Sequence, residues 1–200
     1  MISAYALFTS GAIYSLFYSI IHHIILQIQP FGYFVPIVEE RISTEIKKIM
    51  SPIRFFLWTF WKFPASRFSG LRIDKLDSES CIVSIPGGWR SQNPFNSMYW
   101  AVQGMGAELS TGGYPLALVK SMPEKTRTLV AGQSANFTKK ARGRITFTCE
   151  DGNLARSAIE ESIETGNPVN VDLTSTGRDS SGDIVSEWVF KWNFLVAKED

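Results

Sequence analysis

Two side chains in one nearly uncharged stretch of the sequence could act on a polar substrate, Asn93 and Glu108. Glu108 is the single charged residue between Arg90 and Lys120, and the residue types over 98–110 favour a helix that is apolar on nearly every side. A carboxylate on such a helix must be paired, protonated or used in chemistry. Burial would raise its pKa, and a carboxylate with a raised pKa suits a general base.

Each of these residues also has a structural interpretation. Asn93 could orient a carbonyl group or a water molecule through its amide, or it could form an Asx turn before the proline that follows it. Glu108 could pair with Arg90 to hold an interface. Asn96 or Ser97 can cap the helix. Because Ser97 has no nearby histidine and lies in no Gly-x-Ser-x-Gly elbow, we interpret it as a cap and not as a nucleophile.

The elements around this helix are mostly strands. Residues 71–76 and 80–85 predict a hairpin across a polar turn, and Pro115 should loosen or kink the helix near residues 111–115. The later part of the chain predicts strands at 127–137, 145–149, 169–174 and 188–196, with a short polar helix at 154–164. A sheet wrapped around one apolar helix buries both, so the sequence predicts an α+β fold with an antiparallel sheet around a long central helix.

The N-terminal part of the chain differs in composition. Residues 1–38 contain no Asp, Glu, Lys or Arg, and residues 2–28 exceed the roughly 20 apolar residues that cross a bilayer. Three interpretations are open: a membrane anchor, a helix packed on its own protein, and an over-extended start codon. Lysines and arginines follow the segment, so an anchor would leave the remaining chain on the cytoplasmic face.

Residues 39–66 predict a helical lead-in, with an aromatic-rich helix at 53–63. Packing is its default interpretation, and a lid over a sheet edge, a membrane-surface helix and the wall of a lipophilic pocket are the alternatives. At 200 residues and a formal net charge of +1, the chain is one domain plus an extension, with no argument for a nucleic-acid partner. Cys81 and Cys149 match no metal spacing and are typical of buried thiols in a reducing compartment.

The central stretch resembles a known family. The pattern Asn-x-x-Asn/Gly-Ser/Thr-Met/Leu, which residues 93–98 follow, and an acidic residue further along the next helix are similar to the hotdog-fold acyl-CoA thioesterases. Residues 52–196 resemble more closely an uncharacterised thioesterase-like branch of that superfamily, in the runs Trp-Arg-Ser-Gln-Asn-Pro-Phe at 89–95 and Ala-Asn-Phe at 135–137. The resemblance implies a hotdog domain over residues 67–200.

The resemblance also implies residue roles. The loop asparagine of the family falls on Asn93 and the helical acidic residue on Glu108, fifteen positions later, as the catalytic pair. The glycine pair that opens the helix in many members falls on Trp100 and Ala101, and the preceding histidine falls on Tyr99, which are departures from the family pattern. The substrate-binding residues that we infer are Asn96, Ser97, Tyr99, Trp100, Ala101, Lys139 and Lys140, the two lysines meeting coenzyme A phosphates or, alternatively, forming a solvated turn.

The expected function is hydrolysis of an acyl-CoA or related acyl thioester, with coenzyme A as part of the substrate and with no metal or redox cofactor. Glu108 would act as general base or attack directly to give an anhydride. Ala101 and Glu108 lie ~10 Å apart along a straight helix, so they cannot easily flank one carbonyl. A homodimer, or a dimer of two dimers, is therefore expected. The competing class is a non-catalytic acyl-thioester binder or a structural hotdog dimer.

Overall fold

The computed structural model of the chain describes residues 39–196. The described residues from Ile42 onward belong to one compact unit. The predicted anchor at residues 2–28 lies outside the described residues. Within the described part, no helix is both long enough and apolar enough to cross a membrane.

Five helices and six strands follow in the described residues. The helices are α1 over 39–50, α2 Pro52–Lys62, α3 Pro64–Ser69, α4 Trp100–Ser121 and α5 Gly152–Thr165. The strands are β1 Arg72–Leu76, β2 Cys81–Ile85, β3 Thr126–Phe137, β4 Ile145–Cys149, β5 Val169–Arg178 and β6 Ile184–Val196. These bounds confirm the predicted strands, and the helical lead-in predicted over residues 39–66 extends through α3 to Ser69.

One antiparallel sheet contains all six strands, in the order β1-β2-β4-β5-β6-β3. Alternation along the strands directs one side chain in two toward α4, as a two-residue repeat requires. The inward side chains Val83, Ile85, Phe147, Leu173 and Phe194 are fully buried. The long helix α4 contacts strands β2, β4, β5 and β6, which confirms the predicted sheet around one central helix.

The course of α4 differs from the prediction in three respects. The helix begins at Trp100 and its N-cap is Tyr99, without a side-chain cap, so the capping role expected of Asn96 or Ser97 is wrong. The helix continues through Pro115 to Ser121, because Pro115 and its neighbours are buried in the core and that packing outweighs the ~3 kcal/mol cost of an internal proline. Finally, the helix is not enclosed on every side, since Glu108 is exposed.

Glycines let α4 approach the sheet closely. A Cβ at Gly106 would lie 2.6 Å from Cδ2 of Phe147, in a fully buried ring. At Gly104, two residues nearer the helix start than Gly106, the nearest atom to such a Cβ is Trp188 Cη2 at 3.4 Å, an ordinary contact. Gly106 therefore packs tightly on the sheet and Gly104 loosely, so alanine substitutions at these two positions form a matched pair for a stability test.

Gly106→Ala is therefore expected to destabilise the fold and Gly104→Ala to stabilise it. Both changes gain about 1 kcal/mol of helix propensity, but only the first forces the core apart, at a cost of about 1–3 kcal/mol. Urea unfolding followed by circular dichroism measures the difference. Equal free energies of unfolding for the two variants would contradict the close packing of α4 on Phe147.

Strand β3 forms one edge of the sheet. It is 12 residues long, it pairs with β6 along its inner side, and among the described residues no strand covers its outer side. Most of its side chains are exposed on both faces, including Leu129 at 62% and Phe137 at 48%. A long exposed edge of this kind invites pairing with another chain.

Candidate active site

Glu108 lines a large apolar cavity at the surface of α4. The cavity measures about 690 Å³, within the range of ~300–1,000 Å³ that is typical of small-molecule sites. One wall comes from α2, α3 and the residues between them, another from β3, and the floor from α4. The lining includes Trp58, Phe63, Leu71, Met105, Leu109, Leu116, Val119, Leu129, Val130 and Trp192, and its charged members are Glu108 and Lys62.

The carboxylate of Glu108 has no partner in residues 39–196. It accepts no hydrogen bond and forms no ion pair there, so the alternative pairing with Arg90 is absent from the described part of the chain. The side chain is exposed to solvent in one chain, so the prediction of an enclosed carboxylate is wrong. The surrounding apolar atoms nevertheless displace enough water to raise the pKa of Glu108, because desolvation disfavours the charged form.

Asn93 lies in a tight loop before α4. Its Oδ1 accepts hydrogen bonds from the backbone N–H groups of Phe95 at 2.9 Å and Ser97 at 3.2 Å, and from Ser97 Oγ at 3.3 Å. This is the Asx turn that we considered as the structural interpretation. It leaves the Nδ2 donor of Asn93 without an acceptor among residues 39–196. The turn and a donor role for the amide are therefore compatible.

Asn96 has a structural place in the same loop. Its φ is 57°, a left-handed conformation that asparagine tolerates better than most residues, and its N–H donates to Asn93 O at 3.1 Å. Its side chain is exposed. The structure thus assigns the backbone of Asn96 to closing the turn.

The start of α4 offers free backbone donors. Tyr99 O accepts from the N–H groups of Val102 and Gln103, whereas the N–H groups of Trp100 and Ala101 have no acceptor among the described residues. The first N–H groups of a helix lie at its positive end, which favours an anion or a developing oxyanion. The side chains of Tyr99 and Trp100 are 45% and 52% exposed, and their rings meet edge to face with centroids 5.7 Å apart.

A second cavity brings most of the predicted binding residues together. It measures about 380 Å³ and is lined by Asn93, Ser97, Met98, Trp100, Gln103, Phe137, Thr138, Lys139, Lys140 and Ala141. None of these residues lines the Glu108 cavity. Asn93 and Glu108, the predicted catalytic pair, therefore belong to two different cavities of one chain.

The two lysines of this cavity differ in charge compensation. Lys139 Nζ lies 2.6 Å from Asp179 Oδ2 and 2.6 Å from Asp183 Oδ2, and these carboxylates raise the pKa of Lys139. Lys140 is exposed and forms no ion pair with residues 39–196. Lys140 is thus the better candidate to meet an anionic group of a ligand.

Sequence reasoning missed Gln103. This side chain is 4% exposed; its Nε2 donates to Met98 O at 3.2 Å and its Oε1 accepts from Ser186 Oγ at 3.0 Å. It thereby ties the loop before α4 to strand β6 and helps to position the Asn93 turn. The sequence signal that could have identified Gln103 is an amide side chain on an apolar helix, because a buried amide needs a partner for its nitrogen and for its oxygen. Among the described residues, no group of three His, Cys, Asp or Glu side chains could hold a metal ion.

Comparisons with known proteins agree with this architecture. Residues 54–194 match a family model whose description is "Domain of unknown function (DUF4442)". A Pseudomonas aeruginosa protein of unknown function, called a probable thioesterase, is 22% identical, with a TM-score of 0.59 over 72% of this chain and 96% of that one. The comparison with curated proteins finds no match.

Two further solved structures have the same fold at lower identity. A Chlorobaculum tepidum protein of unknown function is 14% identical, with a TM-score of 0.60 over 73% of this chain and 97% of that one. A Haemophilus influenzae thioesterase is 15% identical, with a TM-score of 0.52 over 72% of this chain and 90% of that one. The sheet around a central helix and these neighbours confirm the hotdog fold. The match over residues 54–194 shows that the chain belongs to the family described as "Domain of unknown function (DUF4442)".

Proposed function

We propose that this protein hydrolyses an acyl-CoA or a related acyl thioester at a site formed across a dimer interface. The observation that carries the proposal is the carboxylate of Glu108, which lines an apolar cavity of about 690 Å³ with no partner in residues 39–196 and with a raised pKa. An unpaired carboxylate in a cleft, with a pKa perturbed by desolvation, is typical of a functional group.

In the proposed reaction Glu108 is the general base, and the start of α4 with Asn93 stabilises the oxyanion. Glu108 takes a proton from water, and the resulting hydroxide equivalent attacks the thioester carbonyl carbon. The free N–H groups at Trp100 and Ala101, with Nδ2 of Asn93, hold the oxyanion that develops on the carbonyl oxygen. The C–S bond then breaks, and the thiolate takes up the proton that Glu108 carries. Direct attack by Glu108 to give an anhydride is the second mechanism.

A dimer would bring the two halves of this site together. Ala101 and Glu108 lie ~10 Å apart along α4, and the cavities of Asn93 and Glu108 share no residue. The exposed edge of β3 contributes Thr128, Leu129 and Val130 to the wall of the Glu108 cavity, so a second copy seated on β3 would approach that cavity directly. The apolar lining suits the acyl chain, and Lys140 suits a coenzyme A phosphate.

A panel of acyl-CoA esters with a thiol reagent tests the proposal. Release of free coenzyme A above the rate without protein is expected for at least one chain length. The second candidate function is a non-catalytic acyl-thioester binder, which the exposed Trp100 at the helix start favours, because its ring occupies the position of a family glycine. Saturable binding of the same esters with no thiol release would favour the binder.

The pH dependence of hydrolysis should follow the carboxylate. Only ionised Glu108 accepts a proton, so kcat/KM is expected to fall as the pH falls through the pKa of Glu108. Because desolvation raises that pKa above the ordinary 4.5, the loss should begin at a higher pH than for a solvated glutamate. Initial rates across a pH series with a soluble substrate measure it. If kcat/KM does not fall at acidic pH, Glu108 is not the general base.

The cytoplasmic location and the membrane attachment through residues 2–28 are part of this proposal. Lysines and arginines after the uncharged segment support it through the positive-inside rule. Cell fractionation with and without residues 1–38 tests both points.

A further inference from the structure

Helix α2 presents an apolar face to solvent. Ile53, Leu57, Phe60 and Trp61 recur at the i, i+4, i+7, i+8 spacing of one helix face, and they are 75%, 53%, 56% and 77% exposed. The opposite face packs inward through Thr59, which is 2% exposed. Large apolar side chains that are exposed together on one face mark an interaction surface.

The same part of the chain is strongly cationic. Residues 46–73 contain Lys47, Lys48, Arg54, Lys62, Arg67 and Arg72, six cations, and no Asp or Glu. Two of these cations, Arg54 and Lys62, lie on α2 itself and are exposed. We call these two cations together with Ile53, Leu57, Phe60 and Trp61 the α2 surface.

A basic cavity lies beside the α2 surface. It measures about 210 Å³, and its lining includes three cations, Lys48, Arg54 and Lys120, one carboxylate, Glu45, and the ring of Trp58. Lys48 is paired with Glu45 at 2.6 Å, and Lys120 Nζ lies 5.6 Å from the Trp58 ring centroid. Arg54 and Lys120 remain without a carboxylate partner in residues 39–196. The cavity therefore suits one anionic head group next to the apolar face.

We propose that the α2 surface docks on an anionic lipid bilayer, with its apolar side chains in the head-group boundary and its cations facing the lipid phosphates. Tryptophan, phenylalanine and leucine on one face with arginine and lysine beside them are the composition of helices that lie in a membrane interface. Cations near an anionic leaflet each add to that attraction.

The charge of the α2 surface favours an anionic bilayer over two other partners, a second copy of the chain and residues 1–38. A second copy seated face to face would place the cations of the α2 surface against the same cations across the two-fold axis, which like-charge repulsion opposes. Residues 1–38 contain no Asp or Glu, so that segment could cover the apolar face but could not neutralise the cations. An anionic bilayer satisfies both parts of the surface.

Helix α2 also borders the cavity that contains Glu108. Trp58 and Thr59 line that cavity, and so does Lys62 of the α2 surface, so a docked α2 would place the cavity next to lipid. The docking itself does not rest on the proposed hydrolysis, and it is measured without a thioester. Failure of one is therefore distinguishable from failure of the other.

A local probe in the full chain tests the proposal. Ile53→Cys carries an environment-sensitive fluorophore, and Ser181→Cys, in the turn between β5 and β6, is the matched control; the native Cys81 and Cys149 are buried. Vesicles of phosphatidylcholine with phosphatidylglycerol are expected to shift the emission of the probe at residue 53 to the blue, with no shift at residue 181. Vesicles of phosphatidylcholine alone would hold residue 53 near the bilayer only through the proposed anchor at residues 2–28, so they are expected to give a smaller shift there and none at residue 181.

Charge variants complete the test. Arg54→Gln with Lys62→Gln should raise the vesicle concentration for half-maximal response by about fivefold for each cation removed. Lys125→Gln with Lys191→Gln, the same change in net charge at exposed positions elsewhere, should not. No response at residue 53, or an equal response to neutral vesicles, would overturn the proposal. A probe at residue 53 whose emission is already blue-shifted before lipid is added would also overturn the proposal, because the α2 surface would then be covered by protein. A shift that depends on protein concentration would indicate a second copy of the chain. A shift that does not depend on it would indicate residues 1–38.

Discussion

Glu108→Gln is expected to lower kcat for acyl-CoA hydrolysis by about 10²–10⁴-fold, the range that general-base catalysis contributes. This is equivalent to roughly 3–5 kcal/mol of transition-state stabilisation. Glutamine keeps the size of the side chain and its place in the cavity, but it cannot accept a proton from water. Initial rates with the best ester of the acyl-CoA panel, for wild type and variant, measure the loss.

The stability of the same variant separates chemistry from folding. The pKa of Glu108 is raised in the folded chain by desolvation, so the ionised form opposes folding above the unfolded-state pKa, and protonation at lower pH relieves that effect. Removing the charge should therefore leave the midpoint of urea unfolding at neutral pH unchanged or higher. A variant that keeps full turnover would contradict the base role. A variant that loses both turnover and stability would indicate a structural role for Glu108.

A mixed dimer of Glu108→Gln and Asn93→Asp chains is expected to regain about half of the wild-type activity, although each variant alone is nearly inactive. Asn93→Asp keeps the oxygen that accepts from Phe95 and Ser97, and thus the Asx turn, but replaces the Nδ2 donor. The loss of one oxyanion donor costs about 10²–10³ in kcat. If each site combines Glu108 of one chain with Asn93 of the other, the mixed dimer has one intact site of two.

Co-expression with two different affinity tags isolates the mixed dimer for this measurement. Sedimentation of each variant alone is the control, because it must show the same oligomeric state as the wild type. If the mixed dimer is as inactive as its parents, both residues act within one chain and the shared site is wrong. A monomeric wild type that hydrolyses acyl-CoA through Glu108 would be equally contrary to the dimer proposal.

Much of the fold follows from local sequence patterns. Alternation along residues 188–196 and the polar turn at residues 77–79 predict strands and a hairpin whose observed bounds agree within a few residues. Hydrophobic periodicity of this kind works because one face of each element must leave water. The helix predicted from residue 98 begins at Trp100, but its N-cap was not predicted, because that residue is Tyr99, a type without a capping side chain.

The residues of the candidate site were predictable in part. Asn93, Ser97, Trp100, Lys139 and Lys140 do line one cavity, as the resemblance to hotdog thioesterases implied for a binding site. Their roles are still predictions, and the position of Glu108 in a second cavity was not foreseen. The walls of that cavity come from α2, α3 and β3, which are separated in sequence and brought together only by folding.

The sequence alone determined most of the elements, their order and the identity of the one carboxylate in an uncharged stretch, because these depend on residue type and on periodicities of two and 3.6 residues. Tertiary structure alone decided which side chains share a cavity, that Glu108 has no partner in residues 39–196, and that α2 and the edge of β3 face outward. Those properties depend on the distances between residues that are far apart in the chain. Packing sets these distances, and no local sequence pattern encodes them.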